Sequence, residues 1–345
     1  MKLGIVLVVL IYYASFLLAG LLGFAAHRAS LCTVKGVAEV LSTRRAYMLA
    51  SFAKTVLWVL AITWLVSWTS PFRPMALIGY ESALASLAGG FLFGVGAAVN
   101  QGCAFSTLNR LGSGDAGMLA TVIGFSAGIA GVFGAGGAEL AALEFPGLAV
   151  AGETWVIVLA VPLYGWALWE AWTLWRRRPA GLGLSQLMAL PRYRLSTGAV
   201  LLGLSGGVLY ALHGSWTYTS TLGLGVQSLF GAEKMPPLAN LMLFVAVMIG
   251  IIISALQRDA FRLRAPGIAG WLRHFGGGLM MGAGAALVPG GNDVLILQAI
   301  PALLPHAVLA YGAILVGCAV ALVVMGRVTG EVMRLDCSGD LCTQD

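Results

Sequence analysis

The sequence predicts an all-α polytopic membrane protein of about nine transmembrane helices with short re-entrant half-helices, arranged as two inverted-repeat halves. Three observations carry this. Hydrophobic residues make up 59% of the 345 and charged residues only 10%, whereas a water-soluble domain carries roughly a quarter of its residues as Asp, Glu, Lys and Arg. Nine apolar runs approach the about 20 residues that a helix needs to cross a bilayer. A Gly-Ala block at 94–103, GVGAAVNQGC, returns in outline at 282–291 as GAGAALVPGG.

The crossings fall at 4–26, 46–69, 84–101, 117–138, 153–175, 197–213, 238–257, 275–289 and 306–326. The first is too long for the apolar core of a signal peptide and no small-residue cleavage site ends it, so it reads as a retained span. The third, sixth and eighth are short or interrupted by glycine. Each is followed by a semi-apolar stretch too short to cross alone: 103–112, 216–230 and 292–304. Segment 29–41 follows the first in the same way. Broken backbone at membrane depth is tolerated where protein or a water-filled cavity covers it, which points to half-helices. The 47 glycines suit close helix packing and broken helices.

Charge orients the chain. Arg44, Arg45, Arg110, Arg176, Arg177, Arg178, Arg192, Arg194, Arg258, Arg262, Arg264, Arg273, Arg327 and Arg334 fall on one side of a nine-crossing topology whose N-terminus is outside. That side is cytoplasmic by the positive-inside rule. The N-terminus is then periplasmic and the C-terminus cytoplasmic. The opposite loops hold Arg73, Lys234 and the acidic Glu139, Glu144 and Glu153. The net charge of +6 is therefore a topology signal. No basic stripe interleaved with aromatics is present, which argues against a nucleic-acid partner.

In the repeat, Gly90, Gly94, Gly96, Ala97, Ala98 and Gly102 match Gly278, Gly282, Gly284, Ala285, Ala286 and Gly290. A fainter match pairs 23–33 with 207–217. Crossings one to four begin and end outside, and the fifth brings the chain inside. Crossings six to nine then begin and end inside, so the halves are related by inversion. The expected organisation is one transport domain. Its parts are a first half at 1–150, a linking helix and basic loop at 151–196, a second half at 197–330 and a tail at 331–345. In such folds the substrate site lies near the midplane, where interrupted helices of both halves meet. The candidate lining is 27–36, 100–110, 213–220 and 289–293.

Four clusters there carry chemistry. Cys103 sits after Gly102 in a run with Asn100, Gln101, Ser106, Thr107 and Asn109. Free cysteine is often just a small apolar residue, as Cys318 reads in its apolar run, but a polar cluster at a helix break favours function. Cys32 has His27, Arg28 and Lys35 near it. These cations either draw an anion or snorkel to headgroups, and a neutral S–H rather than a thiolate is the state useful for passing an anion. Gly290, Gly291, Asn292 and Asp293 form a break in which Asn292 or Asp293 caps a helix starting near Val294. Such an N-terminus also presents N–H groups to an anion, and Asp293 opposes that unless it pairs with Arg28 or Lys35. Trp216 and Tyr218 form either an aromatic constriction or part of an interfacial belt. Cys337 and Cys342 lie in a tail expected to be short and disordered, with redox or metal contact as the weaker alternative. Neither paired CxxC motifs nor a His-rich set accompanies the cysteines, so no metal is expected, nor any cofactor.

These motifs resemble the YeeE/YedE family of bacterial membrane proteins. The resemblance runs through GFAAHRASLC at 23–32, GFLFGVGAAVNQGCAFSTLNRLGSGD at 90–115 and GGLMMGAGAALVPGGND at 277–293. It implies a bacterial inner-membrane protein with half-helices meeting at the midplane. It further implies thiols that hand thiosulfate along through S–H···S contacts, with Cys32 and Cys103 as the first and central family cysteines. A third family cysteine, placed in a GGC segment, is Gly291 here. The residues alone point no further than a small solute, with an anion favoured. The competing classes are a membrane sulfurtransferase or thiol oxidoreductase using Cys103, and a membrane subunit that recruits a cytoplasmic sulfur-transfer protein through its basic loops. Against an enzyme, no general-base His lies near Cys103 in sequence and no nucleotide motif appears.

Overall fold

The computed structural model describes residues 2–69, 78–80, 83–136, 142–144, 154–178, 181, 183–230, 235–330, 333 and 335–343. The expectations for Arg73, Glu139, Glu153, Lys234 and Arg334 lie outside the described residues. The first half holds α1 (Lys2–Ala29), α2 (Thr33–Thr43), α3 (Tyr47–Thr69), α4 (Ala83–Asn100), α5 (Ala104–Gly112) and α6 (Gly117–Gly134). Helices α7 (Thr154–Arg176) and α8 (Leu184–Ala189) link it to the second half. That half holds α9 (Leu195–His213), α10 (Tyr218–Ser228), α11 (Leu238–Gln257), α12 (Ile268–Leu287), α13 (Asn292–Val294) and α14 (Pro305–Thr329). A π-helical turn, Leu295–Ala299, continues α13. Seven helical segments among the described residues are long and apolar enough to cross a membrane. The count is eight if Ile268–Leu287 and Asn292–Ala299, bent by 50°, form one span. This is a helical multi-pass membrane protein.

Helix ends follow the sequence closely, with one difference. The eighth crossing, expected to begin at 275, begins at Ile268. Arg273 and His274 obscured its first turns, yet His274 is buried and its Nδ1 lies 2.9 Å from Asn100 Oδ1. A polar residue paired with another helix is no bar to a span.

Apolar transfer does not pull apolar helices together in lipid, so close van der Waals packing must. Small residues supply it. A Cβ on Gly282 would stand 1.9 Å from the Phe125 carbonyl oxygen, and one on Gly278 would stand 2.2 Å from that of Thr121. These contacts seat α12 on α6. A Cβ on Gly94 or Gly90 would likewise collide with the Ile314 or Ala310 carbonyl oxygen, and these approaches seat α4 on α14. Helices α4 and α12 also touch each other: Gly96 faces the Gly277 carbonyl and Gly284 faces that of Gly89. In the other bundle α3 packs on α9, α1 on α11, and α1 on α9.

The helix ends rich in arginine gather at one face. Arg258 Nη1 donates to the His27 carbonyl at the end of α1. Arg110 pairs with Asp115 at 2.6 Å, and the Ala116 N–H donates to the Arg264 carbonyl. The tail docks here too, which corrects the expectation of disorder. β3 (Asp336–Ser338) and β4 (Leu341–Thr343) form an antiparallel hairpin that brings Cys337 opposite Cys342, and the two cysteines are joined in a disulfide. Gly339 takes the left-handed turn at φ +64°, a conformation favoured by glycine. Asp340 accepts from the Ser196 N–H and hydroxyl at 2.8 and 2.9 Å, capping α9. Its capped helix lies far away in sequence, so nothing local signalled the hairpin. A second pair, β1 (Ile78–Tyr80) with β2 (Ala142–Glu144), was also unanticipated.

The packing makes a contrast measurable. Gly282→Val sets a branched side chain against backbone and should cost ~3 kcal/mol, lowering the unfolding temperature in detergent or abolishing folded protein. Gly312→Ala, where nothing lies within 4 Å, should be neutral or stabilise slightly. Equal behaviour of the two variants would refute the packing argument.

Candidate functional site

Each of four long helices, α1, α4, α9 and α12, breaks and is followed within a few residues by a shorter helix. A helix N-terminus leaves its first N–H groups without partners inside the helix. These four starts lie in the buried interior, so the residues just before them decide what satisfies those groups. They are Cys32, Cys103, Thr217 and Gly291, all with extended backbone, and none makes a side-chain cap bond to its own helix.

The caps are exchanged between helices instead. The Thr33 N–H at the start of α2 donates to Cys103 Sγ at 3.4 Å. The Ala104 N–H at the start of α5 donates to Asn292 Oδ1 at 3.1 Å, and Asn292 Nδ2 donates to Thr33 Oγ1 at 3.2 Å. The Thr219 N–H at the start of α10 donates to Asp293 Oδ2 at 3.1 Å, and the Thr219 hydroxyl donates to Oδ1. The Gly291 N–H closes the ring onto Thr219 Oγ1 at 3.0 Å. Helix α13 starts at Asn292, two residues before the expected Val294, and the side chains of Asn292 and Asp293 cap neighbouring helices. Asp293 is tied to Thr219 and not to Arg28 or Lys35.

At the centre of this ring Cys32 and Cys103 come together. Both are free and buried, and the two thiols are near enough to influence each other electrostatically. Gly291 adds no side chain. A Cβ there would meet Thr219 Cγ2 at 2.7 Å and Asp293 Oδ1 at 2.8 Å, so a third thiol at this position would displace the Thr219–Asp293 cap. Gly290 stands at φ +136°, with Val294 against any added Cβ.

Asn100, Gln101 and Gly102 make the α4–α5 break. Gln101 is left-handed at φ +57°. Asn100 holds the break shut: Nδ2 donates to the Gly102 carbonyl at 2.9 Å and to Thr107 at 3.2 Å, and Oδ1 accepts from Thr121 at 2.7 Å. The two cations separate. Lys35 lies in the first turn of α2, with its charge in range of Cys32. Arg28 is 1% exposed. Its guanidinium hydrogen-bonds Ser254 Oγ, the Ala189 and Leu190 carbonyls and Gln257 Oε1, and lies over the Phe24 ring. His27 bridges Ser254 and Ser113 beside it. These bonds tie α1 to α11 at the arginine-rich face.

Next to the thiols is a cavity lined by Leu22, Asn109, Trp216, Tyr218, Phe244 and Asp293, among others. Trp216 is buried and its Nε1 lacks a hydrogen-bond partner among the described residues. Tyr218 stacks on Phe244 at 5.8 Å. Both aromatics thus belong to the interior rather than to an interfacial belt. Thr33 and Thr219, the exchanged-cap partners, fall within the candidate lining 27–36 and 213–220 but were not singled out there. The one available signal was a hydroxyl in the first turn of α2 and of α10.

The sequence model of one protein family, described as sulphur transport, matches residues 28–320, which takes in the whole ring. No curated protein matches the chain.

Asn292→Ala removes the acceptor for the Ala104 N–H and the donor to Thr33 at once. Leaving buried groups unpaired costs roughly 1–3 kcal/mol each, so the variant should unfold several degrees lower in detergent. An unchanged unfolding temperature would show that the exchanged caps do not hold the junction.

Proposed function

The chain belongs to the YeeE/YedE sulphur-transport family, and from that premise we propose that it takes up thiosulfate, or a closely related small sulfur anion, past the paired thiols of Cys32 and Cys103. The observation that carries this reading is the meeting of two free, buried thiols at the starts of two half-helices. Helix N-termini favour negative charge. A thiol is only a weak donor, so it holds a soft sulfur anion loosely. Conduction needs that balance, since a site that binds too well does not release. Gly290, Gly291 and Asn292 stand where the third family cysteine is missing, with the Gly291 N–H held by Thr219 and the Asn292 amide by Ala104 and Thr33. Lys35 adds positive charge beside Cys32, while Arg28 fixes the arginine-rich end of α1. Gln101 and Gly102 shape the break, and Asn100 keeps it rigid. Trp216 bounds the path beyond the thiols, and Asp293 is held in place by its bonds to Thr219.

The inverted-repeat reading is supported by the glycine contacts. Gly90 and Gly94 meet α14 as Gly278 and Gly282 meet α6, and Gly96 and Gly284 exchange places across the α4–α12 contact. The arginine-rich face favours an inner-membrane orientation with both that face and the tail in the cytoplasm.

Uptake of labelled thiosulfate into proteoliposomes holding only this protein tests the function. Consumption of thiosulfate without accumulation would instead point to sulfurtransferase chemistry. Cys103→Ala should abolish uptake, and Cys318→Ala should leave it nearly intact, because Cys318 Sγ is spent on the Gly94 carbonyl at 3.1 Å. Lys35→Gln should raise the half-saturating concentration about tenfold, from ~1–4 kcal/mol of lost attraction. Equal uptake by all three variants would refute the thiol pathway. For orientation, a reporter fused after the tail should be active only when cytoplasmic; a periplasmic signal reverses the topology.

A further inference from the structure

The ring of caps uses Asp293 as an acceptor, but its charge has no counterpart. The side chain is 4% exposed. Thr219 donates to both carboxyl oxygens. No Lys, Arg or His bonds to it among the described residues, and neither salt bridge there includes it. A carboxylate buried without a cation is costly, and taking up a proton relieves that cost. Acids placed inside membrane spans are rare and mark ion or proton pathways.

The cavity beside the thiols gives such a proton a route. Asp293 lines it together with Trp216 and Asn109, and the rest of the lining is chiefly apolar. Trp216 Nε1 and Asn109 Oδ1 are buried and have no hydrogen-bond partner among the described residues. The Trp216 side chain is 3% exposed. The Asn109 amide is oriented by its Nδ2 bond to the Ala26 carbonyl at 3.3 Å, which leaves Oδ1 as the free acceptor. A donor, an acceptor and a carboxyl around one space are the partners that a buried water needs, since such waters make two to four hydrogen bonds. The water accepts from Trp216 and donates to Asn109 and Asp293. Asn109 stands next to Arg110 near the end of α5, so this water lies between Asp293 and the arginine-rich face.

We propose that Asp293 takes up a proton as the anion reaches the thiols and releases it through this cavity, so that anion uptake is proton-coupled. The proposal rests on the transport reading given above. Thiosulfate is a dianion, and its entry into a negatively charged interior runs against the membrane potential. One proton on Asp293 cancels one of those charges. The proton adds to a carboxylate oxygen and later leaves it to cavity water; no bond other than O–H forms or breaks. The ionisable groups on the surrounding elements are Tyr218 on α10, Cys103 and Arg110 at α5, Cys32 and Lys35 at α2, and His27 and Arg28 on α1. Arg110 is paired with Asp115, and His27 and Arg28 are bound at the arginine-rich face. His213 and His306 do not line the cavity. Thiols and phenols ordinarily keep their protons at neutral pH, which leaves Asp293 as the group free to exchange one.

The test is thiosulfate accumulation in proteoliposomes holding only this protein, with the membrane potential clamped at zero and a pH-sensitive dye in the lumen. For wild type, each pH unit of inward proton gradient should raise the steady accumulation ratio about tenfold for one coupled proton, and added thiosulfate should acidify the lumen. Asp293→Asn copies the protonated carboxyl, with one acceptor and one donor for Thr219. Its accumulation ratio should not respond to the gradient, and its lumen should not acidify. Uptake by wild type with no response to the gradient and no acidification would overturn the coupling and leave transport standing, whether or not the variant folds. A gradient response retained in a folded Asp293→Asn variant would move the proton to another group and overturn the assignment. No thiosulfate uptake by wild type under any gradient would overturn both readings.

Discussion

Four helices begin where no water can reach their first N–H groups, and everything at the centre of this protein follows from satisfying them. In an aqueous domain each start would carry its own Ser, Thr, Asp or Asn cap. Here the residues just before the helices are two cysteines, a threonine that makes no cap bond and a glycine. The missing bonds come from Cys103, Asn292 and Asp293 acting across the junction. Because each cap belongs to a different helix from the one it serves, no half-helix can shift without unsatisfying another. The junction is rigid for that reason, and rigidity is what a weak thiol site needs to present a fixed geometry.

The surrounding bundle is built to bring those starts together. Glycines on α4, α6, α12 and α14 let backbones touch, which sets the axes close enough for a short Asn292 side chain to reach both Ala104 and Thr33. Bulkier residues at those seams would separate the halves by more than an amide can bridge. The polar network at the arginine-rich face, with Arg28, His27, Ser113, Ser254 and Gln257, fixes α1 against α11 just beyond the Trp216 cavity. Packing and polar contacts therefore act on the same object from two sides.

Much of this was legible in the sequence, for a physical reason. Span length and glycine spacing are fixed by membrane thickness and helix contact, so the crossings and the four breaks could be placed from composition and period. Cys32 and Cys103 stood out because each ends an interruption. What escaped were pairings between distant segments. Nothing near Thr219 indicates that it would serve Asp293. Asp293 illustrates the same limit: charge alone suggested a cation as its partner, whereas the fold supplies a hydroxyl and an N–H. Arg28 was placed beside the thiol by sequence proximity, while its buried partners draw it to the helix ends.

The choice of cysteine before α2 and α5 then has a consequence for chemistry. A Ser or Asn cap would saturate the helix start and leave little for a passing anion. Sulfur is a weak acceptor and a weak donor, so the Thr33 N–H bond to Cys103 is a soft one that a better acceptor can replace. On the transport reading proposed above, an anion arriving at the pair would meet N–H groups and S–H groups together. On that reading Cys103 would serve as cap when the site is empty and as ligand when it is filled. The glycine at 291 fits this account, since a third side chain there would compete with Thr219 for Asp293 and remove a cap that the pair cannot replace.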